Sequence, residues 1–415
     1  MRKCSSSFCD LRYLLLLAVI PFIYIQMRLF VTQSEYSDRL AAAVEAENHC
    51  TSQTRLLIDQ ISMQQGKIVS LEEEKTRKDK ECRQLRSLVQ DLERKGLKKL
   101  ISNAQTPVAA VVVMACNRAD YLERTISSVL KYQKSIASKF PLFISQDGSD
   151  AKVKHKALSY DQLTYMQHVD FDPVYTERPG ELVAYYKIAR HYKWALDQLF
   201  NKHNFSRVII LEDDMEIAPD FFDFFEAGAL LLDRDESIMA VSSWNDNGQK
   251  QFVQDPYALY RSDFFPGLGW MLSKSTWDEL SPKWPKGSSL GQFFKQYLEP
   301  IKLNSVQVNW KSMDLSYLLE DHYVKHFAAM VKNAKPVQGT DVALKARNID
   351  GDVRIQYNSQ LEFELIARQF GIFEEWKDGI PRASYQGVVV FRHQSSSRVF
   401  LVGPDSLKQL GIGHK

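Results

Sequence analysis

Residues 107–115, Pro-Val-Ala-Ala-Val-Val-Val-Met-Ala, constrain the fold more than any other part of this chain. Four valines and no polar side chain make a strand covered on both faces, the kind found in parallel sheets flanked by helices. The pattern recurs. A polar turn, Cys116-Asn117-Arg118-Ala119-Asp120, leads into helical periodicity over 121–131. A second apolar strand at 141–145 ends in Gln146-Asp147-Gly148, and a helical stretch covers 181–200. A third strand at 207–211 ends in Glu212-Asp213-Asp214. Strand, polar loop, helix and strand in repetition predict an α/β sheet that is largely parallel. Ligands of such sheets sit beyond the carboxyl ends of the strands, where Asn117, Arg118, Asp147 and Glu212 to Asp214 all fall. From about residue 334 the strands shorten (353–357, 387–392, 398–402) around one helix, which predicts a second, small α+β unit.

The segment before this sheet is of another kind. Arg2, Lys3 and Arg12 precede an apolar run over 13–25, broken by Pro21, and bulky residues continue it to Val31. No small-residue cleavage site follows, so residues 13–31 are expected to be an uncleaved signal anchor; a cleaved signal is the alternative. The basic flank keeps residues 1–12 cytoplasmic and sends the rest into a lumen. Residues 32–105 contain no proline, and eighteen of the thirty-three residues from Lys67 to Lys99 are charged. Steps of four and three from Leu57 meet Ile61, Ile68, Leu71, Cys82, Leu85, Val89 and Leu92, with interruptions at Gln64, Lys75, Lys78 and Gly96. This coiled-coil period leaves two readings open, a single solvated stalk or a homodimer through the stem. Cys50 and Cys82 share the seam register and could bridge two parallel copies in an oxidising lumen.

Charge and hydropathy exclude other classes. Lys plus Arg number 53 against 51 Asp plus Glu, a net +2 with no basic excess for nucleic acid. A mean hydropathy of −0.31 argues against a multi-span membrane protein. Five scattered cysteines build neither a disulfide scaffold nor a structural zinc site.

Three consecutive carboxylates after an apolar strand repel one another unless something neutralises them. A hard divalent cation would take one or two of them and complete its shell with phosphate oxygens and water, which points to a nucleotide diphosphate. The plain alternative is a solvated turn, with Asp214 capping a helix over 218–232. Arg118 and His191 have ordinary readings too, as a surface charge and a packed helix residue. The chain lacks GxxxxGK[ST] and GxGxxG. Aromatic rings in Trp244-Asn245-Asp246-Asn247-Gly248 and in 264–270 suit either a sugar or a core. Asn204-Phe205-Ser206 is the single N-glycosylation sequon.

The segments VVVMACNRADYLERTI, ISQDG, YKIARHYKWALDQLF, VIILEDDMEIAPDFFDFFEA, VSSWNDNG, YRSDFFPGLGW and DLSYL, in this order, resemble the N-acetylglucosaminyltransferase I family over about residues 106–400. The resemblance implies a GT-A domain at 106–333 and a small α+β domain at 334–415. It implies UDP-GlcNAc as donor, Mn²⁺ as cofactor, and inverting transfer of β1,2-linked GlcNAc to the α1,3-arm mannose of oligomannose N-glycans. The enzyme would sit in the Golgi membrane through one span, with its catalytic part lumenal. Matched residue by residue, Arg118, Asp147 and His191 take nucleotide-binding positions. Glu212 and Asp213 take sugar-nucleotide positions, Asp214 that of the metal ligand, and Ser289 that of a residue closing over the diphosphate.

Two departures from the family stand out. Gly148 replaces a cysteine that can pair at the position of Cys116, which leaves Cys116 expected as a free, buried thiol. Lys286 runs directly into Gly287-Ser288-Ser289, where the family has a Trp-Asp-Asp-Trp segment, an Arg-Pro-Glu stretch and a cysteine. That segment carries the family's catalytic base, so no residue here takes the role, and Asp278 lies in a helix-like stretch unsuited to it. The expectation is a chain that binds UDP and metal but transfers poorly. The alternatives are a related O-mannose-directed transferase and a catalytically silent UDP-binding partner.

Overall fold

The computed structural model describes residues 8–101, 106–287, 301–393 and 397–412, with side chains in the first helix described over 15–83. The chain divides into two units, 1–92 and 93–415.

The first unit belongs to α1 (Phe8–Ile101), a continuous helix that carries Pro21 within it. Its apolar end has a mean hydropathy of 1.9, and it is the one described helix long and apolar enough to cross a membrane. The predicted seam residues Leu57, Ile61, Ile68 and Leu71 all stand exposed along it, as do Cys50 and Cys82, both free thiols.

The second unit opens with a six-stranded sheet of order β3-β2-β1-β4-β6-β5. Its strands are β1 (Ala110–Ala115), β2 (Leu142–Asp147), β3 (Leu163–His168), β4 (Arg207–Glu212), β5 (Val241–Ser242) and β6 (Trp270–Ser273). β1 runs parallel to β2 and β4, and β2 to β3, while β6 is antiparallel to β4 and to β5. All six residues of β1 are buried because both its faces are covered. Val111, Val113 and Ala115 enter one core with Leu122, Ile126 and Phe225. Ala110, Val112 and Met114 enter another with Leu196, Leu199 and Phe200. The period-2 alternation of side chains thus feeds two helical layers from one apolar run.

Around this sheet lie α2 (Ala119–Gln133), α3 (Ala151–Leu158), α4 (Val183–Asp197) with a π-turn at Gln198–Lys202, α5 (Phe221–Arg234) and α6 (Lys274–Leu280). α2 buries Leu122, Thr125, Ile126 and Val129, the helical spacing read from the sequence. α3 and β3 were not anticipated; α3 is started by Asp150, whose carboxylate accepts from the Lys152 and Val153 amides. α5 begins at Phe221 rather than 218, and no side chain caps it. Asp214 therefore does not serve as its cap.

The C-terminal part holds α7 (Glu320–Asn333), α8 (Val342–Arg347), α9 (Gln360–Phe370) and the short α10 (Ser406–Gln409). Its strands are β7 (Lys335–Val337), β8 (Val353–Gln356), β9 (Trp376–Lys377), β10 (Ile380–Pro381), β11 (Ser384–Tyr385), β12 (Val388–Arg392) and β13 (Arg398–Val402). Five of them form a sheet of order β11-β12-β13-β8-β7. The single helix expected after residue 334 is corrected to three, α8, α9 and the short α10. Both α8 and α9 supply one core, in which Val342, Ala346, Phe363 and Ile366 pack with Val353, Ile355 and Leu401. On the sheet's other face, Val388, Phe400 and Val402 share a core with Ala227 and Leu231 of α5 and Phe327 of α7.

Candidate functional site

The strand order reverses direction at β1 and β4, and their carboxyl ends are where a ligand crevice of such a sheet is expected. The chain leaves β1 in one direction, toward β2 and β3, and returns on its other side as β4. Open α/β sheets bind ligands at such a reversal. Arg118 stands just after β1, and Asp213 and Asp214 just after β4.

Arg118 donates through Nη1 to Asp214 Oδ2 at 2.9 Å and through Nη2 to Asp213 Oδ1. Its guanidinium also lies 5.1 Å from the Tyr121 ring centre. Asp213 is 3% exposed, whereas Asp214 keeps an open side. The main chain of Asp213 is fixed as well, since the buried Thr125 hydroxyl donates to its carbonyl at 2.8 Å. Burial pushes the Asp213 carboxyl up, against the pull of Arg118. Glu212 is raised by burial and by the neighbouring Asp214 and Asp213; the Tyr192 hydroxyl, donating to it at 2.9 Å, opposes this. Arg118 is exposed on one side and on the other already neutralises part of the acidic triplet.

At the end of β2, Asp147 faces His168 at the end of β3, with Oδ1 and Nδ1 2.8 Å apart. His191 projects from α4 into the protein, 5% exposed, with Nε2 2.8 Å from the Ser145 hydroxyl. Burial pulls its pKa down to about 4, so the ring is neutral. The rings of His168 and His191 stack, centres 5.4 Å apart and planes 14° apart. Cys116 lies within the field of Asp147, Asp213 and Asp150, which adds to desolvation in raising its thiol. The expected buried thiol is corrected: Cys116 is free and exposed, because β1 ends at Ala115 and the next residue already belongs to the loop.

Arg118, Asp213 and Asp214 are thus in direct contact, Asp147 and His191 are linked through His168, and Ser289 lies outside the described residues. Sequence reasoning missed His168, Tyr192, Ser145 and Thr125. Their one available signal was helical or strand register relative to residues already singled out.

The aromatic loops divide between core and surface. Trp270 is buried, and Phe265, half-exposed, meets it edge-on at 4.9 Å. Trp244 Nε1 donates to Asp246 at 2.9 Å, and Asp246 pairs with the buried Arg382 at 2.9 Å. Arg382 also pairs with Glu375 and covers the Phe264 and Phe373 rings. This turn is held from within. Asp278 pairs with Lys274 at 3.0 Å on the surface of α6.

Among the described residues no group of three or more His, Cys, Asp or Glu side chains converges as a ready-made metal cage. The donor set does fit a hard cation held by one or two carboxylates, with phosphate and water completing its shell. Asp214 is accessible, and the pair it forms with Asp213 already holds one positive charge.

The model of the GNT-I family matches residues 16–287 and, separately, 285–414. An Arabidopsis thaliana protein named alpha-1,3-mannosyl-glycoprotein 2-beta-N-acetylglucosaminyltransferase is 67% identical over 436 residues, covering 97% of this chain and 98% of its own. Because 97% of 415 residues is about 403, about 33 of those 436 positions have no counterpart here. The two family matches meet at 285–287, which places a break at Lys286, where the sequence reading puts a missing segment. Among solved structures, S. aureus TarS 1–349 in complex with UDP-GlcNAc is 13% identical, with a TM-score of 0.30 over 63% of this chain and 73% of its own. Mannosyltransferase PcManGT from Pyrobaculum calidifontis, in complex with GDP-Man and Mn²⁺, is 15% identical, with a TM-score of 0.28 over 60% and 73%. Overlaps that loose add nothing to the reading of the site.

Proposed function

The chain belongs to the GNT-I family, and from that premise we propose that it is an inverting, metal-dependent glycosyltransferase slowed by the loss of a segment after Lys286. It moves GlcNAc from UDP-GlcNAc in β1,2 linkage to the α1,3-arm mannose of oligomannose N-glycans, the step that opens hybrid and complex glycans. The observation that carries this reading is the 67% identity over 97% of the chain. The acidic end of β4 beside Arg118 supports it physically.

In this reading Asp214 holds the divalent cation, Mn²⁺ in the family, with Asp213 beside it. A bound cation offsets the charge that builds on a departing diphosphate. The chain's own residues do the rest. Arg118 is the nearest cation for the diphosphate oxygens. Asp147 and His191 take the nucleotide, and Glu212 and Asp213, at and just after the end of β4, contact the sugar nucleotide. Ser289, outside the described residues, takes the family's position of a residue closing over the diphosphate. No group is assigned to deprotonate the acceptor hydroxyl, because the base-bearing stretch is absent and Asp278 is held on α6.

The address is part of the proposal. Basic residues before the apolar end of α1 orient it as a single-pass anchor with a cytoplasmic N-terminus, which puts the crevice in the Golgi lumen. Asn204 is exposed there and open to N-glycosylation.

The test compares the purified chain with one in which the family's segment is restored after Lys286. Both should take up UDP in the presence of Mn²⁺, and restoration should raise GlcNAc transfer by about 10²–10⁴, the usual worth of a general base. Equal transfer rates overturn the slowed reading. UDP uptake with no transfer by this chain favours a silent nucleotide-binding partner, whose stalk would then pull down a second transferase.

A further inference from the structure

Asp147 and His168 close neighbouring parallel strands as register partners, and their backbones are joined too, the Gly148 amide donating to the His168 carbonyl at 2.8 Å. A carboxylate only accepts, so at 2.8 Å the imidazole must donate through Nδ1–H to Asp147 Oδ1. The ring is not free to turn. It is 8% exposed, lies parallel to the His191 ring at 5.4 Å, and leans on Trp194 at 5.2 Å. His191 is itself held by the Ser145 hydroxyl. One oxygen of Asp147 is thereby fixed and the other remains as an acceptor at the carboxyl end of β2.

We propose that His168 is a positioning residue for nucleotide binding: by holding Asp147 Oδ1 it presents Oδ2 to a neutral donor of the nucleoside. A carboxylate repels a diphosphate, so the donors left to it on UDP are the base imide and the ribose hydroxyls. This rests on the reading of the site as one for a uridine nucleotide. It adds a residue which none of the family motifs above contains, and it explains why a histidine pair, rather than an apolar cluster, backs the end of β2.

The experiment measures UDP binding by calorimetry, with Mn²⁺ present, on the full chain in detergent. His168→Leu keeps much of the volume and removes the donor; His168→Asn places an amide N–H near the position of Nδ1. Leucine should weaken binding about tenfold, and asparagine should hold it to within about threefold. In an Asp147→Ala background the leucine substitution should change little, since there is no carboxylate left to orient. Melting curves without nucleotide verify that each variant is folded. UDP binding unaltered by leucine overturns the proposal. So does asparagine as weak as leucine, or a leucine effect undiminished without Asp147. If the unaltered chain takes up no UDP, the reading of the site falls first and this inference with it.

Discussion

Arg118 Nη1 and Asp214 Oδ2 meet at 2.9 Å across 96 positions of sequence, joining the loop after β1 to the loop after β4. The same guanidinium holds Asp213, so one side chain ties the two loops together before any ligand arrives. A cation and a diphosphate entering together would replace both halves of this arrangement, the cation at the carboxylates and the phosphates at Arg118.

Arg118→Met should therefore have two effects. It leaves the buried Asp213 without its cation, costing about 1–3 kcal/mol in a urea titration, an amount tempered by solvent on the arginine side. It should also weaken UDP at least about tenfold. A variant as stable as the parent would show that the pair is decorative.

Asp214→Asn separates binding from folding. The side chain keeps an open face, so the melting temperature should move by no more than about 2 °C. Mn²⁺-dependent UDP uptake should fall by more than about tenfold if this carboxylate is the cation's ligand. Retained uptake would move the ligand role to Asp213 or Glu212.

His191 gives a pH signature. Its pKa is about 4 in the folded chain against 6.5 for a free side chain. Between those values the unfolded state binds the extra proton, so this contribution is whole above pH 6.5 and is lost as pH falls toward 4. At about 1.4 kcal/mol per unit of pKa, the parent should lose about 3 kcal/mol relative to His191→Gln over that range. Denaturation at pH 7.5 and pH 4.5 measures it. Parallel losses in both proteins would mean that the ring is protonated in the fold.

The stalk can be tested apart from the crevice. Cys50 and Cys82 are exposed, free and on one seam of α1. Two parallel copies would set like cysteines opposite each other, and mild oxidation should give a dimer-sized band on a non-reducing gel. Cys50→Ser combined with Cys82→Ser should abolish it. A monomer band from the oxidised parent would favour the single solvated stalk.

How far the sequence could be read depended on where burial left a mark. β1 was legible because both faces are covered and nothing polar interrupts it. The acidic triplet was legible because three adjacent carboxylates demand a counter-charge. β3 was not: Leu163–His168 pairs with one neighbour only and is mostly half-buried, so Leu-Thr-Tyr-Met-Gln-His shows no apolar run. Losing β3 also hid His168, whose role depends on its register with Asp147. Cys116 was misjudged for another reason. Its burial was inferred from a disulfide the chain cannot make, whereas its actual surroundings follow from the residue at which β1 ends.

Helix α5 has a consequence for how the protein comes apart. Phe225 and Leu232 face the core of the large sheet, while Ala227 and Leu231 face the small one. A polypeptide stopped at residue 333 would keep Trp310, Leu318 and Phe327 on that second side but lose Tyr385, Val388, Phe400 and Val402, which opens the shared core to water where the small sheet had lain. Heating should accordingly melt both sheets in one transition, and a premature stop codon anywhere in the last eighty codons or so should cost the cell the whole enzyme rather than an appendage.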